Sequence, residues 1–167
     1  QSEFQTLALH FITGIKTVRH FDIDPDASEK FSRNLAPFNL DLIACNSIEE
    51  AVNNADIITT ATAAKSQQEI LKRNWIKPGA FINAIGGDCP GKTELPTDLV
   101  TAAKVVVEFL PQTKIEGEIQ NLENQDNTTE LWKIISGAAS GRESQDQIII
   151  FDSVGSAVED YSALNLI

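Results

Sequence analysis

The chain has 167 residues, 42% of them apolar, which is enough for one domain to bury a sizeable core and too apolar for a disordered segment. Its net charge of −11 argues against nucleic-acid partners and against an anionic membrane surface, since both select clustered Lys and Arg. No apolar run comes near the roughly 20 residues that span a bilayer.

Residues 1–13 carry Phe4, Leu7, Ala8, Phe11 and Ile12 at helical spacing, and Gly14 is placed to end that helix. The helical faces holding Phe4, Phe11 and, further on, Trp132 are expected to be core. Residues 17–22 read as a strand ending in Asp22. Asp24-Pro25 then opens a helix to about Leu35, with an acid at the N-cap and proline at the first helical position. A strand over 41–45 precedes Ser47-Ile48-Glu49-Glu50, a capping box for a short helix. Residues 55–60 form a strand that runs into Thr59-Thr60-Ala61-Thr62. Residues 70–75 have helical character until Lys77-Pro78-Gly79 breaks it. A strand over 80–85, a helix over 95–103 and a strand over 104–108 follow. Residues 111–127 are polar and aperiodic, so a loop is expected there. Thr128-Thr129-Glu130 caps a helix ending at Gly137. After a turn-rich stretch come a strand over 147–152 and a last helix over 153–164.

The strands are continuous apolar runs, such as Ile148-Ile149-Ile150-Phe151, as parallel strands covered on both faces require. Their alternation with helices predicts an α/β fold: a doubly wound, mostly parallel, Rossmann-like sheet. The strand over 80–85 leads into Gly86-Gly87-Asp88-Cys89-Pro90-Gly91-Lys92. Two adjacent glycines let a backbone lie close against a flat ligand. Asp88 follows them at the carboxyl end of a strand, where open α/β sheets bind ligands. Asp22 ends its strand at the spacing of an acid that bonds ribose hydroxyls, about 20 residues after a glycine loop that would precede Gln1. Cys45 and Cys89 are well separated, which suggests a reducing, cytoplasmic compartment without a disulfide framework. His10 and His20 lack ligand spacing and read as structural, so no metal site is expected.

The block Gly86-Gly87-Asp88-Cys89-Pro90-Gly91-Lys92-Thr93-Glu94-Leu95, then Glu108 and the run Pro111-Gln112-Thr113-Lys114-Ile115-Glu116-Gly117-Glu118, resembles the ornithine cyclodeaminase/mu-crystallin family. The start Gln1-Ser2-Glu3-Phe4-Gln5, the segment Asp22-Ile23-Asp24-Pro25 and the tail Phe151-Asp152-Ser153-Val154-Gly155 extend the likeness over essentially the whole chain. The glycine block is similar to the branch that turns L-ornithine into L-proline and ammonia. The resemblance implies tightly held NAD as cofactor, with a transient hydride transfer from the substrate and no net redox change. It implies Asp88 as the acid/base group. Gln1, Asp22, Thr62, Ile85, Gly86, Gly87, Lys92 and Ser153 are then cofactor contacts, and Val154 a substrate contact. The charge of Asp22 would repel a 2′-phosphate and so favour NAD over NADP.

Blander roles stand beside these: Lys92 as a solvated loop lysine, Thr62 as an ordinary strand-end threonine, Ser153 as a helix cap. Two other functions fit the same residues, an amino-acid dehydrogenase or imine reductase of the family and a non-catalytic nucleotide-binding module. The family's glycine loop, the strand before it and its substrate domain would all lie upstream of Gln1. The chain is therefore expected to be an NAD-binding fragment, silent in catalysis by itself. The whole enzyme is expected to form a dimer through the missing domain. The strands at 18–22 and 55–60 should not pair with each other.

Overall fold

The computed structural model describes residues 1–64 and 67–165, and these fall into two compact units, Gln1–Ala55 and Asp56–Ile167. In the first, α1 (Ser2–Thr13) ends at Gly14, whose φ of 77° lets its N–H reach the His10 carbonyl at 2.9 Å. Strand β1 (Thr17–His20) pairs in parallel with β2 (Asp41–Ala44), joined by α2 (Pro25–Leu35). Asp24 caps α2 by accepting the Asp26 N–H at 3.0 Å, with Pro25 beginning the helix as expected. Helix α3 (Ile48–Val52) starts at Ser47, whose hydroxyl accepts the Glu50 N–H at 3.1 Å. Both histidines are structural: His10 Nδ1 donates to the Ile15 carbonyl at 2.7 Å, and the His20 ring lies between the Ser28 and Ser32 hydroxyls.

The second unit is a five-stranded, wholly parallel sheet. It contains β3 (Ile57–Thr60), β4 (Phe81–Ala84), β5 (Lys104–Val107), β6 (Thr128–Glu130) and β7 (Ile149–Asp152), in the order β3-β4-β7-β5-β6. The last strand is thus inserted between β4 and β5, a departure from a simple sequential doubly wound order. Ile82, Ala84, Val105, Val107 and Ile150 are fully buried, which explains the unbroken apolar runs of the three inner strands. Among the described residues β1 pairs only with β2, and β3 only with β4. Because every strand of this sheet is parallel, the chain leaves β3, β4, β5 and β7 at one carboxyl edge.

Several expectations fail, each for a local reason. Residues 111–127 are not a loop: α5 (Leu110–Glu116) begins with Pro111 in its first turn, and a 3-10 turn follows over Glu118–Asn121. Both are short, and they are held by contacts distant in sequence, which periodicity does not register. Glu130 does stand at the N-cap of the next helix, without a side-chain cap bond, but residues 128–130 are more than a cap. They form edge strand β6, and α6 (Leu131–Ile135) starts after it. Helical structure near 70–75 shrinks to a 3-10 turn at Arg73–Trp75. The last helix, α7 (Ala157–Leu164), begins at the Ser156 cap rather than at Ser153. The faces read as core are exposed: Phe4 is 78%, Phe11 70% and Trp132 56% accessible. The buried residue of α1 is Thr6, on the other side of that helix. The Trp132 indole N–H donates to Glu130 at 3.1 Å, with Lys133 over its ring, and this polar engagement keeps the side chain at the surface.

Ile150 lies in β7 with β4 and β5 on either side and no accessible surface. Ile150→Ala is expected to cost about 2–5 kcal/mol through the cavity it leaves, read as a lower midpoint in denaturant unfolding.

Candidate functional site at the carboxyl edge

Strand β4 runs through Ile85 into Gly86 and Gly87, and Asp88 begins a tight turn that returns at Lys92. The Asp88 carboxylate is half exposed, and its Oδ1 meets Lys92 Nζ at 3.1 Å. Lys92 itself is 6% exposed and donates a second bond to the Thr62 carbonyl at 3.1 Å, so it is no solvated loop lysine. The edge thus presents one carboxylate to solvent, oriented by one buried ammonium.

The glycines are explained differently from the expectation. A Cβ at Gly86 would collide with the Glu94 carboxyl group, and one at Gly87 would stand 2.6 Å from Glu118 Oε1. The space that a side chain would take is filled from within by two buried carboxylates, not left open for a flat ligand. Glu94 Oε1 accepts the backbone N–H of Thr62 at 2.8 Å and also its hydroxyl. Glu118 accepts the Glu94 N–H at 2.9 and 3.0 Å and the Leu95 N–H at 2.9 Å. Asp152, at the end of β7, accepts the Ile119 N–H at 3.2 Å, and a Cβ at Gly117 would come 2.7 Å from it. Three buried acids therefore link the ends of β7, β4 and β3 through backbone donors. Sequence reasoning missed all three. All three lie inside the motifs given above, but a single acid has no periodic signature of burial.

Burial pushes Glu118 up to about 8, reinforced by Asp152 and Glu94 and opposed by the two backbone N–H groups. Burial likewise raises Asp152 to about 7, against the N–H groups of Glu118 and Ile119. Asp152 Oδ1 has no hydrogen-bond partner among the described residues, which favours its protonated form.

Ser153 follows β7 and donates to Glu108 Oε1 at 2.6 Å, while the Gly155 N–H takes Oε2 at 3.0 Å. Ser153 is neither the start of α7 nor its cap. It ties the ends of β5 and β7, with half-buried Val154 beside it. Burial and the neighbouring Glu108 raise Glu159 above the usual carboxylate range. Thr62 lies past the end of β3 with its hydroxyl committed to Glu94. Thr62, Ile85, Gly86, Gly87, Asp88, Lys92, Ser153 and Val154 thus share the carboxyl edge of the Asp56–Ile167 sheet.

The other two predicted residues lie in the Gln1–Ala55 unit. Gln1 stands exposed at the N-cap of α1. Asp22 lies just past β1 and accepts the Asp24 N–H at 2.9 Å. It lines an open cleft of 520 Å³ with Pro25, Ser28, Glu29, Cys45 and Asn46, at the carboxyl ends of β1 and β2. Cys45 and Asn46 were not singled out from sequence. The larger cleft of the second unit, near Glu69 and Arg73, holds none of the predicted residues.

The family model for the ornithine cyclodeaminase/mu-crystallin family matches residues 1–167. The chain belongs to the ornithine cyclodeaminase/mu-crystallin family. The ornithine cyclodeaminase of Agrobacterium fabrum is 52% identical over 167 residues, all of this chain and 47% of that protein. An archaeal alanine dehydrogenase dimer with bound NAD superposes with a TM-score of 0.91 at 32% identity, over 99% of this chain and 52% of that one. A lysine cyclodeaminase solved for its recognition of L-lysine, L-ornithine and L-2,4-diaminobutyric acid gives 0.89 at 32% identity, over 99% of this chain and 48% of that one. The chain spans about half the length of the curated relatives it matches.

The two raised carboxyl groups set a pH dependence. The folded state keeps protons on Glu118 and Asp152 up to about 8 and 7, whereas the unfolded chain releases them near 4.5 and 3.8. Their stabilisation is complete below the unfolded values and is lost as pH rises through the folded ones. Thermal midpoints are expected to fall between about pH 5 and pH 8, and Glu118→Gln to reduce that slope by roughly half, since one of the two linked protons is removed. Gly86→Ala should displace Glu94 and destabilise the fold, measured by the same melts.

Proposed function

We propose that this chain is the NAD-binding part of an ornithine cyclodeaminase, which converts L-ornithine to L-proline and ammonia. The reading is carried by Asp88, a half-exposed carboxylate at the carboxyl edge of a parallel sheet and 3.1 Å from a buried lysine. It sits in a chain 52% identical to an ornithine cyclodeaminase.

The residues present fit NAD. Asp22, Ser28 and Asn46 offer hydrogen-bonding groups around one cleft, and a carboxylate there suits the two ribose hydroxyls. Bound NAD supplies the reversible two-electron chemistry that the reaction needs. The chain's own residues do the rest. Asp22 accepts from the ribose and its charge disfavours a 2′-phosphate. Gln1, at the start of α1, would hold the pyrophosphate, since helix N–H groups favour anions. Thr62, Ile85, Gly86, Gly87 and Ser153 would hold the nicotinamide half through the outer side of the edge, and Val154 would contact the substrate. Lys92 holds Asp88 Oδ1, so Oδ2 is the oxygen that takes a proton from the substrate amine and returns one to the departing ammonia.

The remaining half of the enzyme supplies a Gly-x-Gly loop with its strand, the groups that hold the ornithine carboxylate, and a dimer interface. The compartment is cytoplasmic, and the pathway role is ornithine breakdown feeding proline synthesis.

The full-length enzyme is expected to form proline and ammonia from ornithine without accumulating NADH. Asp88→Asn should lower turnover about a hundredfold or more while leaving NAD binding in place, as expected for loss of a general acid/base. Turnover unchanged in that variant rules out the assigned role, and net NADH formation from ornithine points to a dehydrogenase instead. The 167-residue chain alone should form no proline.

A further inference from the structure

The Asp88 turn is gripped from beneath by an element that plays no part in the chemistry above. The 3-10 turn Glu118–Asn121 presents two side chains to it. Gln120 accepts the Gly91 N–H at 2.7 Å through Oε1 and donates through Nε2 to the Lys92 carbonyl at 2.9 Å. The same Nε2 donates to the Gly117 carbonyl at 2.8 Å, which locks the amide orientation. Glu118 takes the N–H groups of Glu94 and Leu95 on the other side of Lys92. The turn is itself anchored by the bond from the Ile119 N–H to Asp152, at the end of the central strand β7. Lys92 is thus bracketed at 91–92 and at 94–95, and Lys92 is the one cation within bonding distance of Asp88 among the described residues.

We propose that Gln120 and Glu118 are positioning residues: the 118–121 turn fixes the loop that carries Asp88 and Lys92, and so sets the placement of the acid/base carboxylate. Neither touches the reacting atoms. A turn containing several glycines has a wide choice of backbone conformations. Hydrogen bonds from two side chains to four of its backbone groups select one. Catalysis is sensitive to such placement, because a misplacement of about 1 Å costs on the order of a hundredfold in rate. The amide of Gln120 carries no charge, so its grip does not vary with pH. Glu118 faces Glu94 and Asp152, and all three are buried.

This inference rests on the cyclodeaminase reading, and the experiment separates the two. Gln120→Leu, at a half-buried position, removes the amide and keeps the volume. Glu118→Gln keeps the shape and removes the carboxylate. In the full-length enzyme each is expected to lower kcat by about tenfold or more with KM for ornithine changed less than about threefold, the split expected when the reacting group and not binding is disturbed. Amide hydrogen exchange gives a readout that needs no turnover. In Gln120→Leu the amides of Lys92 and Glu94, whose own partners are untouched, should exchange about tenfold faster or more, while those of Ile82 and Ile150 keep their protection. Loop exchange unchanged in that variant overturns the proposal whatever the enzyme turns over. So does a variant with kcat within about twofold of the parent. If the parent enzyme fails to convert ornithine, the cyclodeaminase reading falls, and the exchange measurement still decides the positioning role.

Discussion

The carboxyl edge depends on carboxyl groups that face inward and accept backbone N–H groups. Glu94, Glu118 and Asp152 occupy the space next to Gly86, Gly87 and Gly117, where any other residue would place a Cβ. Glu94 accepts from Thr62 past β3, Glu118 from Glu94 and Leu95 past β4, and Asp152 from Ile119 in the 3-10 turn. A buried ionised acid is costly, and the cost shows in the raised values for Glu118 and Asp152. A chain that keeps such groups gains a rigid edge, since loops leaving β3, β4 and β7 are cross-linked without side-chain packing. The glycines are therefore needed first for the protein's own interior. On the outer side of the same loop Asp88, Pro90 and Gly91 are exposed.

The functional reading follows from this geometry together with family membership. Asp88 is the side chain of the edge that is both exposed and paired with a buried cation, an arrangement suited to moving protons at a fixed place. Lys92 does not reach outward alone. Its bond to the Thr62 carbonyl, and the hold of Glu94 on Thr62, tie Asp88 to the end of β3.

Much of the fold was legible because parallel strands buried on both faces leave continuous apolar runs, and because Asp24-Pro25, Ser47 and Gly14 mark helix ends by local chemistry. Asp88 was legible too, since the strand–glycine–acid order places it at the carboxyl edge regardless of detail. What was not legible lies in tertiary contact. The 110–121 segment forms a helix and a turn through bonds to Glu130, Asp152 and the Asp88 loop, none of them near in sequence. Phe4 and Phe11 have the spacing of a core stripe, yet spacing says only that one face is apolar, not that this chain covers it. Glu118 looked like a loop acid because nothing local separates a buried acid from a solvated one.

The most direct test of the account is the titration of a single side chain. With glutamate labelled at the carboxyl carbon, the resonance of Glu118 can be assigned by its loss in Glu118→Gln and followed as pH is raised. A midpoint near 8 is expected for a carboxyl group enclosed beneath the glycine loop. A midpoint in the ordinary glutamate range, near 4.5, would contradict a side chain whose burial outweighs its backbone donors.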